Sequence, residues 1–117
     1  MTVEIASING GEIPFDKGSM QGDFYTPDCK KFMEDADAQS LAKNSKAIAD
    51  IDVMSYSGIY MAGGHGTCTD FYGNQALYDV VDQAFANGKV VAADCHGPIG
   101  LLGCKKPDGT PLVAGKK

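Results

Sequence analysis

The sequence predicts an α/β domain built on a doubly wound, mainly parallel sheet. Three observations carry that reading. Strand-like apolar runs alternate with segments of helical periodicity, which implies parallel strands joined by right-handed crossovers with helices on both faces. Residues 89–94 (KVVAAD) are continuous rather than alternating in their apolar side chains, as in a strand covered on both faces. Two strand ends carry Gly-rich turns with reactive side chains, and ligands gather at such ends in a doubly wound sheet.

Taken in order, residues 3–7 form a first short strand around Val3 and Ile5. From 8 to 25 the composition turns to Gly, Pro, Asp and Ser, with Gly10-Gly11 and Pro14, which predicts a long structured loop of a functional or lid type. A short helix follows over 27–33, with Thr26 as N-cap and Pro27 at its first position. Residues 38–49 place Ala38, Leu41, Ala42, Ser45, Ile48 and Ala49 at helical spacing behind Asp37 as N-cap. The stretch 56–62 (YSGIYMA) reads as a buried strand that ends in Gly63-Gly64-His65-Gly66. Leu77, Val80, Val81, Ala84 and Phe85 then recur at i, i+3, i+4, i+7 and i+8, a core stripe on the clearest helix, which Asn87-Gly88 stops. After the strand at 89–94 and the turn Cys95-His96-Gly97-Pro98, a helix over 99–104 starts with Pro98 in its first turn. Pro107-Asp108-Gly109 turns the chain into a short terminal strand, 112–114. Tyr25, Tyr60 and Phe71 read as packing residues, and Lys116 and Lys117 as solvated charge.

A chain of 117 residues allows one domain, residues 1–117. Such a domain buries roughly 60–70% of its unfolded surface. At 44% apolar and 21% charged the composition is that of an ordinary globular protein. The 10 basic residues, all lysine, face 15 acidic ones, a net charge of −5. That balance supplies no basic patch for phosphates, so nucleic acid is not an expected partner. No apolar run is long enough for a membrane span, and MTVEIASING has neither the charged nor the apolar region of a signal peptide, so a cytoplasmic protein is expected. Cys29, Cys68, Cys95 and Cys104 make no C-x-x-C pair, and no disulfide framework is expected in that compartment. Cys29 and Cys104 read as small structural thiols. With two histidines and no ordered carboxylate spacing, no metal and no cofactor are expected.

Cys95 reads differently, because it lies between a buried strand and a helix. A sharp turn there presents the sulfur at the top of the sheet and sets it at the positive end of the helix, which stabilises thiolate. Backbone N–H groups at such a turn bind an oxyanion, and a Gly-Gly turn on the neighbouring strand brings in a second N–H. This is the logic of a nucleophile elbow with cysteine in place of serine. Around it, Gly63, His65, Gly66, Cys68 and Asp70 are candidates for the pocket edge. His65 has the alternative of simply capping its turn, and Cys68 and Asp70 that of a solvated helix start.

GGHGTCTDF at 63–71 and GKVVAADCHGPIGLL at 88–102 resemble the DJ-1/PfpI superfamily, and more narrowly its Hsp31-like, glutathione-independent glyoxalase (glyoxalase III) group. The resemblance extends through PDGTPLVAGKK at 107–117 and FYTPDCKKFMEDADAQSL at 24–41. It implies a flavodoxin-like, three-layer sandwich with Cys95 as nucleophile, His96 as the adjacent histidine of the triad, and Gly64 and His96 amides as the oxyanion hole. It also implies a small reactive aldehyde as substrate: methylglyoxal converted to lactate through a Cys95 hemithioacetal, without glutathione or metal. Relatives often dimerise, so a homodimer is expected.

The resemblance also implies what is missing. The chain starts at what resembles the family's second strand, so the family's glutamate has no counterpart, and Glu4, Glu12 and Glu34 stand in other contexts. The family's third triad member, an acid, would fall beyond Lys117, so the chain reads as truncated at both ends and the fold as incomplete. Asp94 replaces what is more often an apolar residue, and strand alternation turns it away from Cys95. Two further readings fit the residues: a non-catalytic module that senses oxidation at Cys95 or acts as a holdase, deglycase relative or assembly partner, and a fragment without independent function.

Overall fold

The computed structural model describes residues 2–116; Met1 and Lys117, the latter read as solvated charge, lie outside the described residues. Among the described residues four short strands form two parallel pairs. β1 (Ala6–Ser7) pairs with β2 (Lys46–Ala47), and β3 (Gly58–Met61) pairs with β4 (Val90–Ala93) in the register Gly58 to Val90 and Met61 to Ala93. The helices are α1 (Pro27–Glu34), α2 (Ala36–Lys43), α3 (Thr67–Asp70) and α4 (Gln75–Ala86). No helix among the described residues is long and apolar enough to cross a membrane.

The core forms around α4, because its apolar period of 3.6 puts one continuous stripe against the sheet. Leu77, Tyr78, Val80, Val81 and Ala84 are all buried there, and Val81 and Ala84 are fully so. Asn74 caps the helix through Leu77 N–H at 3.0 Å, and Gly88 at φ +69° takes the left-handed stop expected after Asn87. β3 and β4 give Ile59, Met61, Val91 and Ala93 to this core. Alternation puts Gly58, Tyr60, Val90 and Ala92 on the opposite face, where Tyr60 and Val90 are each 64% exposed. The continuous apolar run at 89–94 therefore has only one covered face, and Tyr60 is not the packing residue the sequence suggested.

Two short 3₁₀ turns, Ile48–Asp50 and Val53–Ser55, join β2 to β3 and set Ile48 and Val53 into the core. The predicted helix over 38–49 is shorter and shifted. Asp35 rather than Asp37 is the N-cap, accepting from Ala38 N–H at 2.9 Å. The helix stops at Lys43 because Asn44 turns its side chain back to the Ser40 carbonyl and Ser45 is claimed elsewhere. Ser45 exchanges backbone bonds with Gly11, and its buried hydroxyl donates to the Gly11 carbonyl at 2.6 Å and meets the Ser7 hydroxyl at 2.8 Å. Long-range pairing overrides a local helical stripe here.

Smaller departures have local causes. The loop over 8–25 contains two 3₁₀ turns, Lys17–Met20 and Gly22–Phe24. The helix after Pro98 is a 3₁₀ segment, Gly97–Leu101, and does not run on to Cys104. The terminal strand is absent: Leu112 is buried and bonds the Cys104 carbonyl at 2.9 Å, but residues 112–114 lie in a turn. The Lys116 ammonium sits 5.7 Å from the centre of the Phe85 ring, so it has an aromatic neighbour as well as solvent.

Candidate active site

β3 and β4 end side by side, and the chain turns sharply after each. Beyond β4, Cys95 has φ +47°, and it is the only non-glycine residue with positive φ among the described residues. A side chain in that region costs of order 1–3 kcal/mol and persists where its surroundings over-determine it. The surroundings are the β3 end. Asp94 N–H donates to the Met61 carbonyl at 3.3 Å, and Gly97 N–H closes the turn onto the Asp94 carbonyl at 2.7 Å. Gly97 is buried, and a Cβ on it would run into the Met61 carbonyl. A Cβ on Gly63 would stand 2.6 Å from Cys95 Cβ and 2.8 Å from the Asp94 carbonyl oxygen. Both positions demand glycine because the two turns interlock.

The interlocked turns bring Cys95, His96, His65, Gly63 and Gly64 together. Cys95 Sγ lies 3.2 Å from His96 Nδ1, with the donor set by the histidine tautomer. The His96 ring meets the His65 ring at a centroid distance of 4.8 Å, tilted by 58°. Cys95, His96, His65, Gly64 and Gly66 are all exposed, so the sulfur faces open solvent. Among the described residues, neither the Gly64 nor the His96 N–H has a protein acceptor. Chemically, the place offers a thiol, an imidazole within hydrogen-bond reach of it, and two free backbone donors on adjoining turns.

The remaining predicted residues lie at the rim. Thr67 Oγ1 bonds the Gly64 carbonyl at 2.8 Å, Cys68 N–H bonds the His65 carbonyl at 3.1 Å, and Thr69 Oγ1 bonds the Gly66 carbonyl at 2.6 Å, folding residues 64–69 on themselves. Cys68 and Asp70 stand exposed on α3, and neither hydrogen-bonds Cys95 or His96. Partial desolvation holds the Asp70 carboxyl above its ordinary range. The helix beyond Cys95 is a five-residue 3₁₀ segment without a side-chain cap, so it brings a smaller dipole to the sulfur than the α-helix expected there.

Two neighbours have roles here that the sequence did not suggest for them. Asp94 Oδ1 accepts from Gly63 N–H at 2.7 Å, and the available signal was an Asp directly before a sharp turn, where its carboxylate seeks backbone donors. Tyr60 stands beside it: desolvation and the Asp94 carboxylate push its phenol above the usual range. Among the described residues no group of three His, Cys, Asp or Glu side chains is arranged to hold a metal ion. The other thiols differ from Cys95. Cys29 is exposed at the start of α1, where the Thr26 hydroxyl at 3.2 Å draws its thiol below the ordinary value. Cys104 is buried, and burial, reinforced by Asp82, pushes its thiol up to about 12.

Comparison with known proteins gives the family. A model of the DJ-1/PfpI family matches residues 2–109. Glutathione-independent glyoxalase HSP31 of Saccharomyces cerevisiae is 33% identical over 110 residues, covering 91% of this chain and 46% of the relative. Probable glutathione-independent glyoxalase hsp3104 of Schizosaccharomyces pombe is 40% identical over 74 residues, covering 63% of this chain and 33% of the relative. The solved structure of glyoxalase III from Candida albicans superposes with a TM-score of 0.81 at 28% identity, covering 94% of this chain and 47% of that one. The Rapid Encystment Protein 24 KDa of Francisella tularensis also superposes at 0.81, with 37% identity and 48% of its length covered. The chain therefore spans from a third to about half the length of these proteins. Its parallel strand pairs have the flavodoxin-like fold as neighbour, and its small sheets are those of an incomplete version of it. By sequence and by superposition, the chain belongs to the DJ-1/PfpI family.

Proposed function

We propose that this chain carries the nucleophile of a glutathione-independent glyoxalase, which converts methylglyoxal and water to lactate. The observation that carries the reading is the 3.2 Å approach of Cys95 Sγ to His96 Nδ1 on a positive-φ turn, next to two unpaired backbone N–H groups. His96 takes the thiol proton and the sulfur adds to the aldehyde carbon. The oxygen that becomes negative is held by the Gly64 and His96 N–H groups until it is protonated, giving a hemithioacetal. A base then removes the proton from the former aldehyde carbon and returns it to the adjacent carbonyl carbon, leaving a lactoyl thioester on Cys95. Water hydrolyses that thioester to lactate and frees the thiol. The rim residues His65, Gly66, Cys68 and Asp70 would bound the aldehyde's approach. No step draws on a metal, glutathione or another cofactor.

The test is lactate formation from methylglyoxal by the purified chain without glutathione. Cys95→Ala is expected to reduce turnover to background, and His96→Ala to lower it about 10²–10⁴-fold. Unchanged turnover in Cys95→Ala sinks the assignment. The exposure of Cys95 favours a second reading, a non-catalytic oxidation sensor. Under it, mild peroxide yields sulfinic acid at Cys95 by mass spectrometry, with no lactate formed from methylglyoxal.

A further inference from the structure

We infer that Asp94 is a positioning residue of this site: its carboxylate pins the Gly63-Gly64 turn and so aims the Gly64 N–H at the place where the substrate oxygen becomes negative. The inference rests on the reading of Gly64 as an oxyanion donor. It starts from what a Gly-Gly turn lacks. Without side chains, two successive glycines have the largest backbone freedom to lose on ordering. Gly64 is at φ +102°, nothing lies within 4 Å of where its Cβ would be, and its N–H is unpaired among the described residues. Thr67 holds the carbonyl side of Gly64, so it is the N–H side that packing leaves unrestrained.

The restraint comes from across the turn. Gly63 N–H donates to Asp94 Oδ1 at 2.7 Å, a charge-assisted bond of the stronger kind. The same Asp94 is tied through its own backbone, with N–H to the Met61 carbonyl and its carbonyl to Gly97 N–H. The carboxylate thus belongs to a rigid part of the β4 turn. Gly63 lies so close to that turn that its Cβ would stand 3.1 Å from His96 N. Holding Gly63 therefore restricts how far the Gly64 donor, one residue on, can move from the His96 donor. Among the described residues Asp94 makes no hydrogen bond to the Cys95 sulfur, and it acts on the donors through Gly63. What the bond requires is an acceptor oxygen at Oδ1; the charge strengthens it.

Asp94→Ala and Asp94→Asn separate these roles, since the amide keeps an oxygen for Gly63 N–H and loses the charge. Asp94→Ala is expected to lower kcat for lactate formation on the order of 10- to 100-fold with KM within about twofold, because a donor displaced by about 1 Å fails mainly in the transition state. Asp94→Asn is expected to recover most of that loss. The parallel readout is amide hydrogen exchange by NMR, in which Gly63 should lose its protection in Asp94→Ala and keep it in Asp94→Asn, while α4 stays protected in both. Equal kcat loss in both variants would assign the effect to charge and overturn the inference, as would unchanged Gly63 exchange in Asp94→Ala. If the wild-type chain makes no lactate yet Gly63 exchange follows this pattern, the pin stands and the glyoxalase reading falls.

Discussion

Residues on either side of Ser57 are held by different physics. In the C-terminal part, α4 alone buries Leu77, Tyr78, Val80, Val81 and Ala84, and a parallel strand pair four residues long packs on it. The N-terminal part contributes Ala42, Ile48 and Val53. α1 buries nothing and α2 only Ala42, and the strands there are two residues long. What joins that part together is polar: the Ser7, Ser45 and Gly11 bonds, and a surface latch in which Glu4 meets Lys46 Nζ at 2.5 Å and also accepts from the Tyr56 hydroxyl. The difference shows that a region rich in hydrogen bonds can still be the weaker one, because each bond replaces one made with water while apolar burial adds directly. The candidate site sits wholly on the apolar-cored part, whose rigidity its interlocked turns need.

The largest effect is expected in the core. Leu77→Ala should cost about 2–5 kcal/mol and lower the denaturation midpoint of the whole chain, read by urea titration with circular dichroism. A change restricted to α4 would show that the two parts unfold independently.

Helix caps act on a smaller scale. Asn74→Ala removes the cap of α4 and should lower global stability by about 1 kcal/mol. Asp35→Ala, the equivalent change on α2, should accelerate amide exchange within α2 while leaving the midpoint almost unmoved. Equal shifts in midpoint would erase the distinction.

The smallest effects come from pH, and they act on opposite parts. The folded Cys104 thiol, at about 12, lies above its ordinary value of 9.0, so its contribution is intact below pH 9 and lost as pH rises through 12. Glu4 is shifted the other way, below 4.5, by hydrogen bonds from Lys46 and Tyr56. Its contribution is present above pH 4.5 and disappears as acid protonates the folded carboxyl. Lys46, raised by its hydrogen bonds to Glu4 and Tyr56, releases the latch in strong alkali too, which leaves acid as the discriminating condition. Two-dimensional NMR at mildly acidic pH should therefore move Tyr56 and Lys46 signals before those of Val81 or Cys104. Simultaneous movement would contradict the assignment.

Much of the C-terminal part was legible because its signals are local. The stripe from Leu77 to Phe85 repeats within three turns, Asn87-Gly88 stops it, and the apolar runs at 56–62 and 89–94 each contain the strand they predicted. The Gly63-Gly64 and Cys95-His96 motifs pointed to the same place for the same reason. The N-terminal part was misread where a distant partner decides. Nothing near Ser45 announces that Gly11 and Ser7 will claim it, so a small-residue stripe ran past Lys43 on paper and stops there in the molecule. Asp37 was expected as the cap and Asp35 takes that place; both precede alanines, so nothing local separates them.

By itself, then, the sequence determined the family, the α4 helix, the two strands beside it, and which turns carry the reactive groups, because period, stop signals and motif are written over a few consecutive residues. Only the tertiary structure decided how those turns meet. Gly63 and Asp94 stand 31 positions apart, and the residues between them carry no mark of the bond that joins them. Cys95 takes a left-handed backbone because Met61, Gly63 and Gly97 crowd around it from another strand and from the turn's far side. Those contacts exist once β3 and β4 lie in register, and register is a property of the packed sheet.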